Sequence, residues 1–390
     1  MRNKLAERLL GTVLEWTDEE LKKERPILVA LASLKYDEYH QFTPGMKFIE
    51  SLACWLNQFQ SIEERKIAYG FIRNRLIFFS GFEMNHLVDL AYPSIIRTKL
   101  LEMASKNLGI PPWKTYQLSK SDEYQELNAR SLFLGLSDGA RIDRFRRTNN
   151  MGLSNEQILP YYDLSKEKAC DLKRNLKKAL AQIKNKDESE ISDGEATFKL
   201  LFLLDDFSAS GLSMLMPKGD NYSGKLEKIH KLVQGRLSDL NIIDKNEIKV
   251  YPVIYVITEK AKLHLEQAIS RLLTKEGLGD KISNWEIKAV LTLKENSVFG
   301  SQPLDDSMRD LIDNYYDENI MDDHLRKGGT DDVKLGFAGC GLPLVLNHNT
   351  PNDSLFLLWS YGKFKGLFPR ASRHKGGLNG DAKSVSAFKE

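Results

Sequence analysis

An apolar run that ends in two adjacent carboxylates is the part of the chain best suited to chemistry. Phe198–Leu204 leads directly into Asp205 and Asp206, and a small, hydroxyl-rich loop follows at Ser208–Ser213. The backbone N–H groups of such a loop can bind a phosphate, especially where the loop opens a helix. Carboxylates beside it can bind ribose hydroxyls or a metal ion. The order of strand, acidic pair, loop and helix therefore predicts a sugar-phosphate site.

The residue types of this loop suit an anion. Gly211 lets the backbone approach a phosphate closely and adopt an unusual φ. The serine hydroxyls add donors without bulk. An acidic turn between a strand and a helix, which many α/β proteins contain, is the alternative. The predicted phosphate-binding residues are Ser208, Ala209, Ser210, Gly211, Leu212 and Ser213.

A second apolar run is followed by another small polar loop. Ser131–Leu136 is strand-like, and Ser137–Arg141 after it contains Asp138 and Gly139. Gly139 could permit a strained or cis peptide bond, and the Arg141 guanidinium could neutralise an anion. The alternative is an ordinary turn before a helix whose basic start is solvated.

A third polar segment follows the apolar run Leu335–Leu346. Asn347–Asn352 is dense in hydrogen-bonding side chains and contains His348. This histidine could act as a general acid or base, or could bind a base or a phosphate. A structural histidine in a polar loop is the alternative. Asp322-Asp323-His324 has no partners at metal-ligand spacing, so the sequence leaves the metal ligands unknown.

Aromatic and basic residues are interspersed near the C-terminus. They could stack on bases and bind phosphates, although a small core with a solvated rim is the interpretation that we adopt. The segment 359–390 has seven Lys/Arg against two acidic residues, so a nucleic-acid contact stays open. The residues in question are Trp359, Phe364 and Phe368, with Lys363, Lys365 and Arg370.

The elements that must position these motifs alternate between strand and helix. Apolar runs at 131–136, 197–204, 249–257 and 285–293 are separated by helical segments, which predicts βαβ units and a mainly parallel sheet. Residues before about 110 have helical periodicity instead. We therefore expect an N-terminal helical domain (1–112), an α/β core (113–300), a C-terminal extension (301–375) and a disordered tail (376–390).

Composition limits the classes of protein and partner. The chain has 390 residues, 42% of them hydrophobic and 28% charged, with a net charge of +2. This composition is typical of a globular protein without a global field for nucleic acid or anionic membrane. No apolar run approaches a membrane span, the N-terminus does not resemble a signal peptide, and the three cysteines are widely spaced. We expect a cytoplasmic protein with reduced thiols.

The acidic pair and its loop match the pattern D-D-x-x-x-[ST]-G-x-[ST]. This resembles the motif with which type I phosphoribosyltransferases bind 5-phosphoribosyl-1-pyrophosphate (PRPP). Together with Asn347–Asn352, Trp359 and Leu367–Arg370, it resembles the PRTase-CE family, phosphoribosyltransferase-like proteins with a C-terminal extension. That family is found in bacterial conflict and phage-defence gene neighbourhoods.

The resemblance implies a type I phosphoribosyltransferase-like parallel sheet flanked by helices. It further implies that Asp205 and Asp206 contact ribosyl hydroxyls and that the loop after them holds the 5′-phosphate. Asp138, Gly139 and Arg141 would occupy the pyrophosphate loop, with Mg²⁺ as cofactor and PRPP or a nucleotide as ligand. Serines stand where the usual loop has threonine, which preserves the hydroxyls.

Three functions remain open from the sequence. The first is a phosphoribosyltransferase-like enzyme in antiviral defence that breaks or transfers the bond at C1′. The second is a non-catalytic nucleotide sensor on the same fold, which would relay its state to a protein encoded nearby. The third is a nucleic-acid-binding component of a defence system.

Overall fold

The computed structural model describes residues 2–150, 152–243, 247–295 and 306–371. The predicted disordered tail, 376–390, lies outside these residues. The helices are α1 (Arg2–Val13), α2 (Asp18–Leu34), α3 (Phe48–Leu56), α4 (Ile62–Arg75), α5 (Gly81–Leu90), α6 (Arg97–Leu108), α7 (Thr115–Ser119), α8 (Asp122–Ala129), α9 (Ile142–Thr148), α10 (Lys166–Lys184), α11 (Lys225–Leu232), α12 (Glu259–Lys275), α13 (Asp306–Tyr315), α14 (Asp323–Arg326) and α15 (Phe356–Trp359). The strands are β1 (Ile77–Phe79), β2 (Ser131–Gly135), β3 (Ile158–Pro160), β4 (Leu200–Ser208), β5 (Met216–Lys218), β6 (Asn221–Ser223), β7 (Lys249–Thr258), β8 (Lys288–Leu293) and β9 (Leu344–Leu346).

A five-stranded parallel sheet is the centre of the α/β region. Its spatial order is β3-β2-β4-β7-β8, so the first strand of the sheet lies between the second and the third. The chain direction of the crossovers therefore reverses between β2 and β4. In open α/β sheets, ligands bind outside the carboxyl ends of the strands at this reversal point. The predicted α/β fold with a parallel sheet flanked by helices is confirmed.

The two central strands are apolar because both of their faces are covered. Leu200–Leu204 of β4 and Val253–Ile257 of β7 are essentially inaccessible to solvent. Helix α10 turns Leu172, Leu176 and Leu180 into the same core, at the spacing of one helical face. Burial on both faces is what a central parallel strand requires.

Contacts divide the chain into two compact units. One consists of residues 1–81 together with 302–390, and the other consists of residues 82–301, which contain the five-stranded sheet. The boundaries at 112 and 300 that we predict from the sequence stay predictions. Within the described part of the chain, no helix has the length and apolar character needed to cross a membrane.

The first unit combines N-terminal helices with the C-terminal segment. Strand β1, which the sequence did not predict, pairs in parallel with β9, with Ile77 opposite Leu344. The capping box at Ser61 and Glu64 starts α4 as its sequence indicates. Trp55 donates its Nε1–H to the carbonyl of Leu357 at 2.9 Å. The two ends of the chain therefore share one core in this unit.

The C-terminal aromatic residues belong to that core. Trp359, Phe364 and Phe368 are 0%, 5% and 0% exposed, so their rings have no face available for a nucleic-acid base. Base stacking on these three rings is therefore excluded, and the core interpretation is confirmed. Phe368 packs within 6.0 Å, between ring centroids, of Tyr39 and Phe48, among other rings.

The Thr350-Pro-Asn352 segment is held by a buried tyrosine. Tyr39 donates to the carbonyl of Pro369 at 2.6 Å and shares a hydrogen bond with the Thr350 hydroxyl at 2.8 Å. The Thr350 N–H donates to the Tyr39 oxygen at 3.0 Å, and the Thr350 hydroxyl donates to the carbonyl of Phe368. We call Tyr39, Thr350 and Phe368 the Tyr39 cluster.

Candidate functional site

Two loops follow neighbouring strands at the carboxyl edge of the sheet. Strands β2 and β4 pair in parallel with Gly135 opposite Leu204, so their following residues emerge at the same edge. We call Ser137–Arg141 the β2 loop and Ser208–Ser213 the β4 loop. Because β2 and β4 flank the reversal point of the sheet, these loops lie where an α/β protein binds ligands.

The two adjacent carboxylates have unequal surroundings. Asp205 is 0% exposed, and its Oδ1 and Oδ2 accept hydrogen bonds from Ser137 Oγ and Lys225 Nζ, each at 2.5 Å. Asp206 is half-buried, and its Oδ1 lies 3.5 Å from the same Ser137 hydroxyl. Asp206 is therefore the carboxylate of the pair that solvent can reach.

The electrostatics of Asp205 follow from its depth. Complete burial raises its pKa, and the neighbouring Asp206 carboxylate raises it further, while Lys225 and Ser137 act in the opposite direction. An ionised carboxylate at this depth needs a cation and hydrogen-bond donors, because burial of an unpaired charge is costly. Lys225 and Ser137 meet this requirement.

The β2 loop is shaped by two residues that the sequence interprets differently. We expected Gly139 to permit a strained or cis peptide bond, but no cis bond occurs in the described residues, and Arg141 is the residue with a left-handed φ, of 47°. Gly139 is required for space, because a Cβ there would collide with the Asp206 carboxylate. The Arg141 guanidinium donates to Asn85 Oδ1 at 2.8 Å. The loop therefore lies directly against the acidic pair.

A buried tyrosine of β7 supports the β2 loop from below. Tyr255 is 0% exposed and donates its hydroxyl to the carbonyl of Ala140 at 2.6 Å. Burial raises the pKa of Tyr255 well above its ordinary value, and the Asp205 and Asp206 carboxylates add to the shift. Its hydroxyl therefore keeps its proton and acts as a fixed donor.

The β4 loop is compact and held at both ends. Gly211 has a φ of 79°, and a Cβ at this position would lie 2.7 Å from His264 Cδ2. Thr258, at the end of β7, donates its hydroxyl to the carbonyl of Ala209 at 2.6 Å. The unusual φ that we expected for Gly211 is confirmed. The Ser208 hydroxyl is buried and has no hydrogen-bond partner among the described residues.

The chain does not enter a helix after the β4 loop, contrary to our prediction. Residues 211–215 form a turn, the antiparallel hairpin of β5 and β6 follows, and α11 begins only at Lys225. Apolar Leu212, Met214 and Leu215 resemble a helix start, but Met214 and Leu215 are buried in the core. The dipole of a helix opened by the loop therefore cannot contribute to this site.

The structure gathers most of the predicted site residues and leaves one apart. The acidic pair, the β4 loop and Asp138, Gly139 and Arg141 all belong to the second unit, with Asp138 exposed. His348 belongs to the first unit, in the turn after β9, where its carbonyl accepts a hydrogen bond from Gln41 Nε2 at 3.0 Å. It is not a member of the cluster of loops described above, and a catalytic role for it stays a prediction.

Reasoning from the sequence missed three supporting residues. Lys225 lies 20 positions after the carboxylate that it pairs with, beyond a hairpin that the sequence did not predict. Tyr255 and Thr258 could have been noticed, because a hydroxyl within an apolar central strand must find a partner. In the described residues, no group of three or more His, Cys, Asp or Glu side chains could hold a metal ion.

Comparison with known proteins agrees with this architecture. The PRTase-CE family model matches residues 52–370, which include the β2 loop, the acidic pair, the β4 loop and the Thr350-Pro-Asn352 segment. No curated protein and no solved structure matches the chain. Because the match covers most of the 390 residues, the chain belongs to the PRTase-CE family of phosphoribosyltransferase-like proteins.

Proposed function

We propose that the chain binds a 5-phosphorylated ribose, PRPP or a nucleotide, at the carboxyl edge of its parallel sheet. The observation that carries this proposal is the meeting of the half-buried Asp206 carboxylate with Ser137 and Gly139 at the reversal point of the sheet. A carboxylate beside a glycine backbone suits a sugar whose hydroxyls it can accept from, with anionic groups at the flanking loops.

The 5′-phosphate is assigned to the β4 loop. Ser208 has a buried hydroxyl without a partner among the described residues, and such groups are rare in proteins unless a ligand or water completes them. Gly211 lets the turn remain narrow. Phosphate oxygens are strong acceptors and would satisfy the hydroxyl of Ser208.

The substituent at C1′ is assigned to the β2 loop. Arg141 provides positive charge there, and the Gly139 backbone leaves room beside Asp206. Mg²⁺ fits this site as an ion shared with the ligand: it usually takes one or two protein carboxylates and completes its shell with phosphate oxygens. Asp206 would be the protein carboxylate, and the ion would neutralise pyrophosphate charge.

If the protein is an enzyme, its contribution to breaking the C1′ bond is positioning and charge stabilisation. An oxocarbenium-like state at C1′ carries positive charge, which the Asp206 carboxylate can stabilise. Asp205 and Tyr255 are engaged with Lys225 and Ala140, so neither is free to transfer a proton. This engagement favours a non-catalytic nucleotide sensor as the second candidate function.

Binding and turnover can be measured on the same protein. Calorimetry with PRPP and Mg²⁺ should show binding, and Asp206→Asn should weaken it about 10- to 100-fold, the effect of a hydrogen bond to a charged group. Asp193→Asn is the matched control, because Asp193 is an exposed carboxylate of the same unit. Pyrophosphate release with candidate acceptors would identify an enzyme, and binding without release would identify a sensor. Lack of binding by PRPP and by nucleotides would exclude both functions.

We also propose a role in bacterial antiviral defence, which rests on the family resemblance. Expression of the chain with its neighbouring genes should reduce phage plating, and Asp206→Asn should abolish that protection while leaving the protein level unchanged. Equal protection by the variant would separate any defence role from this site. Nucleic-acid binding by the basic C-terminal segment stays a prediction, testable by salt-dependent binding before and after truncation.

A further inference from the structure

The carboxylate of Asp205 is saturated within the protein. Both of its oxygens accept a short hydrogen bond, one from the Ser137 hydroxyl and one from the Lys225 ammonium, each at 2.5 Å. The side chain is 0% exposed, so it presents no surface to a ligand. Lys225 is the member of this pair that remains 30% exposed.

Lys225 also holds the β4 loop through its backbone. Its N–H donates to the carbonyl of Ser213 at 3.3 Å, and the next N–H, of Leu226, donates to the carbonyl of Met214 at 2.8 Å. These bonds close the base of the β5–β6 hairpin and place the start of α11 beside the loop. One residue therefore contacts both the acidic pair and the β4 loop.

The position of Lys225 depends on the glycine before it. Gly224 has a φ of 122°, and a Cβ there would lie 2.5 Å from the carbonyl oxygen of Met214. This conformation directs the chain from the hairpin into α11 at the β4 loop. The contact between Lys225 and Asp205 is thus built by the backbone on both sides and is not a chance surface pair.

The pairing also changes the charge that a ligand meets. Asp205 and Asp206 approach the same Ser137 hydroxyl, and two uncompensated carboxylates would repel an anionic sugar phosphate. The Lys225 ammonium compensates one of them. Only Asp206 then remains as an accessible negative group beside the β2 loop.

We propose that Lys225 is a positioning residue, which immobilises and neutralises Asp205 so that Asp206 alone of the acidic pair meets the ribose. This inference rests on the proposed ribose-phosphate site. It revises the role that the motif assigns to Asp205, from a ligand contact to an internal anchor. A direct contact between Lys225 and a phosphate is the competing arrangement.

A double-mutant cycle separates the two arrangements. The dissociation constant for PRPP with Mg²⁺ and the melting temperature would be measured for the unsubstituted protein, Lys225→Met, Asp205→Asn and the double variant. Binding would be measured well below each melting temperature, with folding checked by circular dichroism. Lys228→Met is the matched control, because Lys228 is an exposed lysine of the same helix.

The expected result is strong coupling in both measurements. Lys225→Met should weaken binding at least about 10-fold and lower the melting temperature, because it leaves a buried carboxylate unpaired. Asp205→Asn in addition should recover most of both losses, Lys225→Arg should retain binding, and Lys228→Met should change neither.

Three outcomes would overturn the inference, and they are distinguishable. Losses that add in the double variant would show that Lys225 and Asp205 act independently. Tighter binding by Asp205→Asn, with a loss in Lys225→Met that the second substitution does not recover, would identify Lys225 as a direct phosphate contact. Failure of the unsubstituted protein to bind any ribose phosphate would overturn the proposed function, and the positioning role with it.

Discussion

The β4 loop and the Tyr39 cluster are both polar motifs beside apolar strands, yet their hydrogen bonding differs. In the Tyr39 cluster, the tyrosine hydroxyl and the Thr350 hydroxyl both have protein partners, and Tyr39 is 3% exposed. Burial raises the pKa of Tyr39 well above its ordinary value, although hydrogen bonds from Thr350 oppose this shift. At the β4 loop, the Ser208 hydroxyl is buried without a partner among the described residues, and Asp206 remains accessible.

The difference shows how to separate a structural motif from a ligand site. Buried polar groups are nearly always paired, so a complete network such as the Tyr39 cluster needs nothing further. A buried hydroxyl without a partner next to an accessible carboxylate is incomplete until a ligand arrives. Family-specific residues such as Thr350 can therefore be structural, and only their contacts decide this.

The largest effect is expected in the Tyr39 cluster. Phe368→Ala should lower the free energy of unfolding by about 3–5 kcal/mol, because it empties a fully buried position among several rings. Chemical denaturation measures this change, with exposed Lys363→Ala as the control. A loss below about 1 kcal/mol would contradict the role of the cluster as core.

The next effect is expected in the β2 loop, and in binding. Gly139→Ala should reduce affinity for PRPP about 100-fold, because the added Cβ displaces the Asp206 carboxylate and small displacements in such sites are costly. Gly70→Ala is the control, since a Cβ at Gly70 has no heavy atom within 4 Å. Calorimetry measures both variants, and unchanged affinity in Gly139→Ala would remove Asp206 from the site.

Tyr39→Phe tests the hydrogen bonds of the Tyr39 cluster alone. The substitution keeps the ring but removes the acceptor of the Thr350 N–H, so the free energy of unfolding should fall by about 1–3 kcal/mol. The affinity for PRPP of the folded protein should not change. A variant that remains as stable as the parent but binds ligand poorly would reverse the comparison between the two regions.

Ser208→Ala should have the smallest effect, and of the opposite kind. Removal of a buried hydroxyl without a described partner should leave the free energy of unfolding unchanged or slightly higher. Affinity for PRPP should fall about 5-fold, since one neutral hydrogen bond contributes about 1 kcal/mol. Parallel denaturation and calorimetry test this; a clear loss of stability with full affinity would show that the hydroxyl is structural.

The predictions from sequence succeeded where local patterns determine structure. Apolar runs located the strands of the sheet, because a strand buried on both faces must be apolar throughout. The capping box at Ser61 and Glu64 located the start of α4, because the cap is a local contact. The predicted helix after the β4 loop was wrong, since Leu212, Met214 and Leu215 have the same apolar character in a buried turn.

By itself the sequence determined the succession of strands and helices, the acidic pair and the small loop that follows it. Those features depend on residue type and short spacing. Only the tertiary structure decided which partners the polar groups find: Lys225 with Asp205, Tyr255 with the β2 loop, and Tyr39 with Thr350. These contacts join residues that are 20, 115 and 311 positions apart, so they depend on strand register and crossovers that no local pattern specifies.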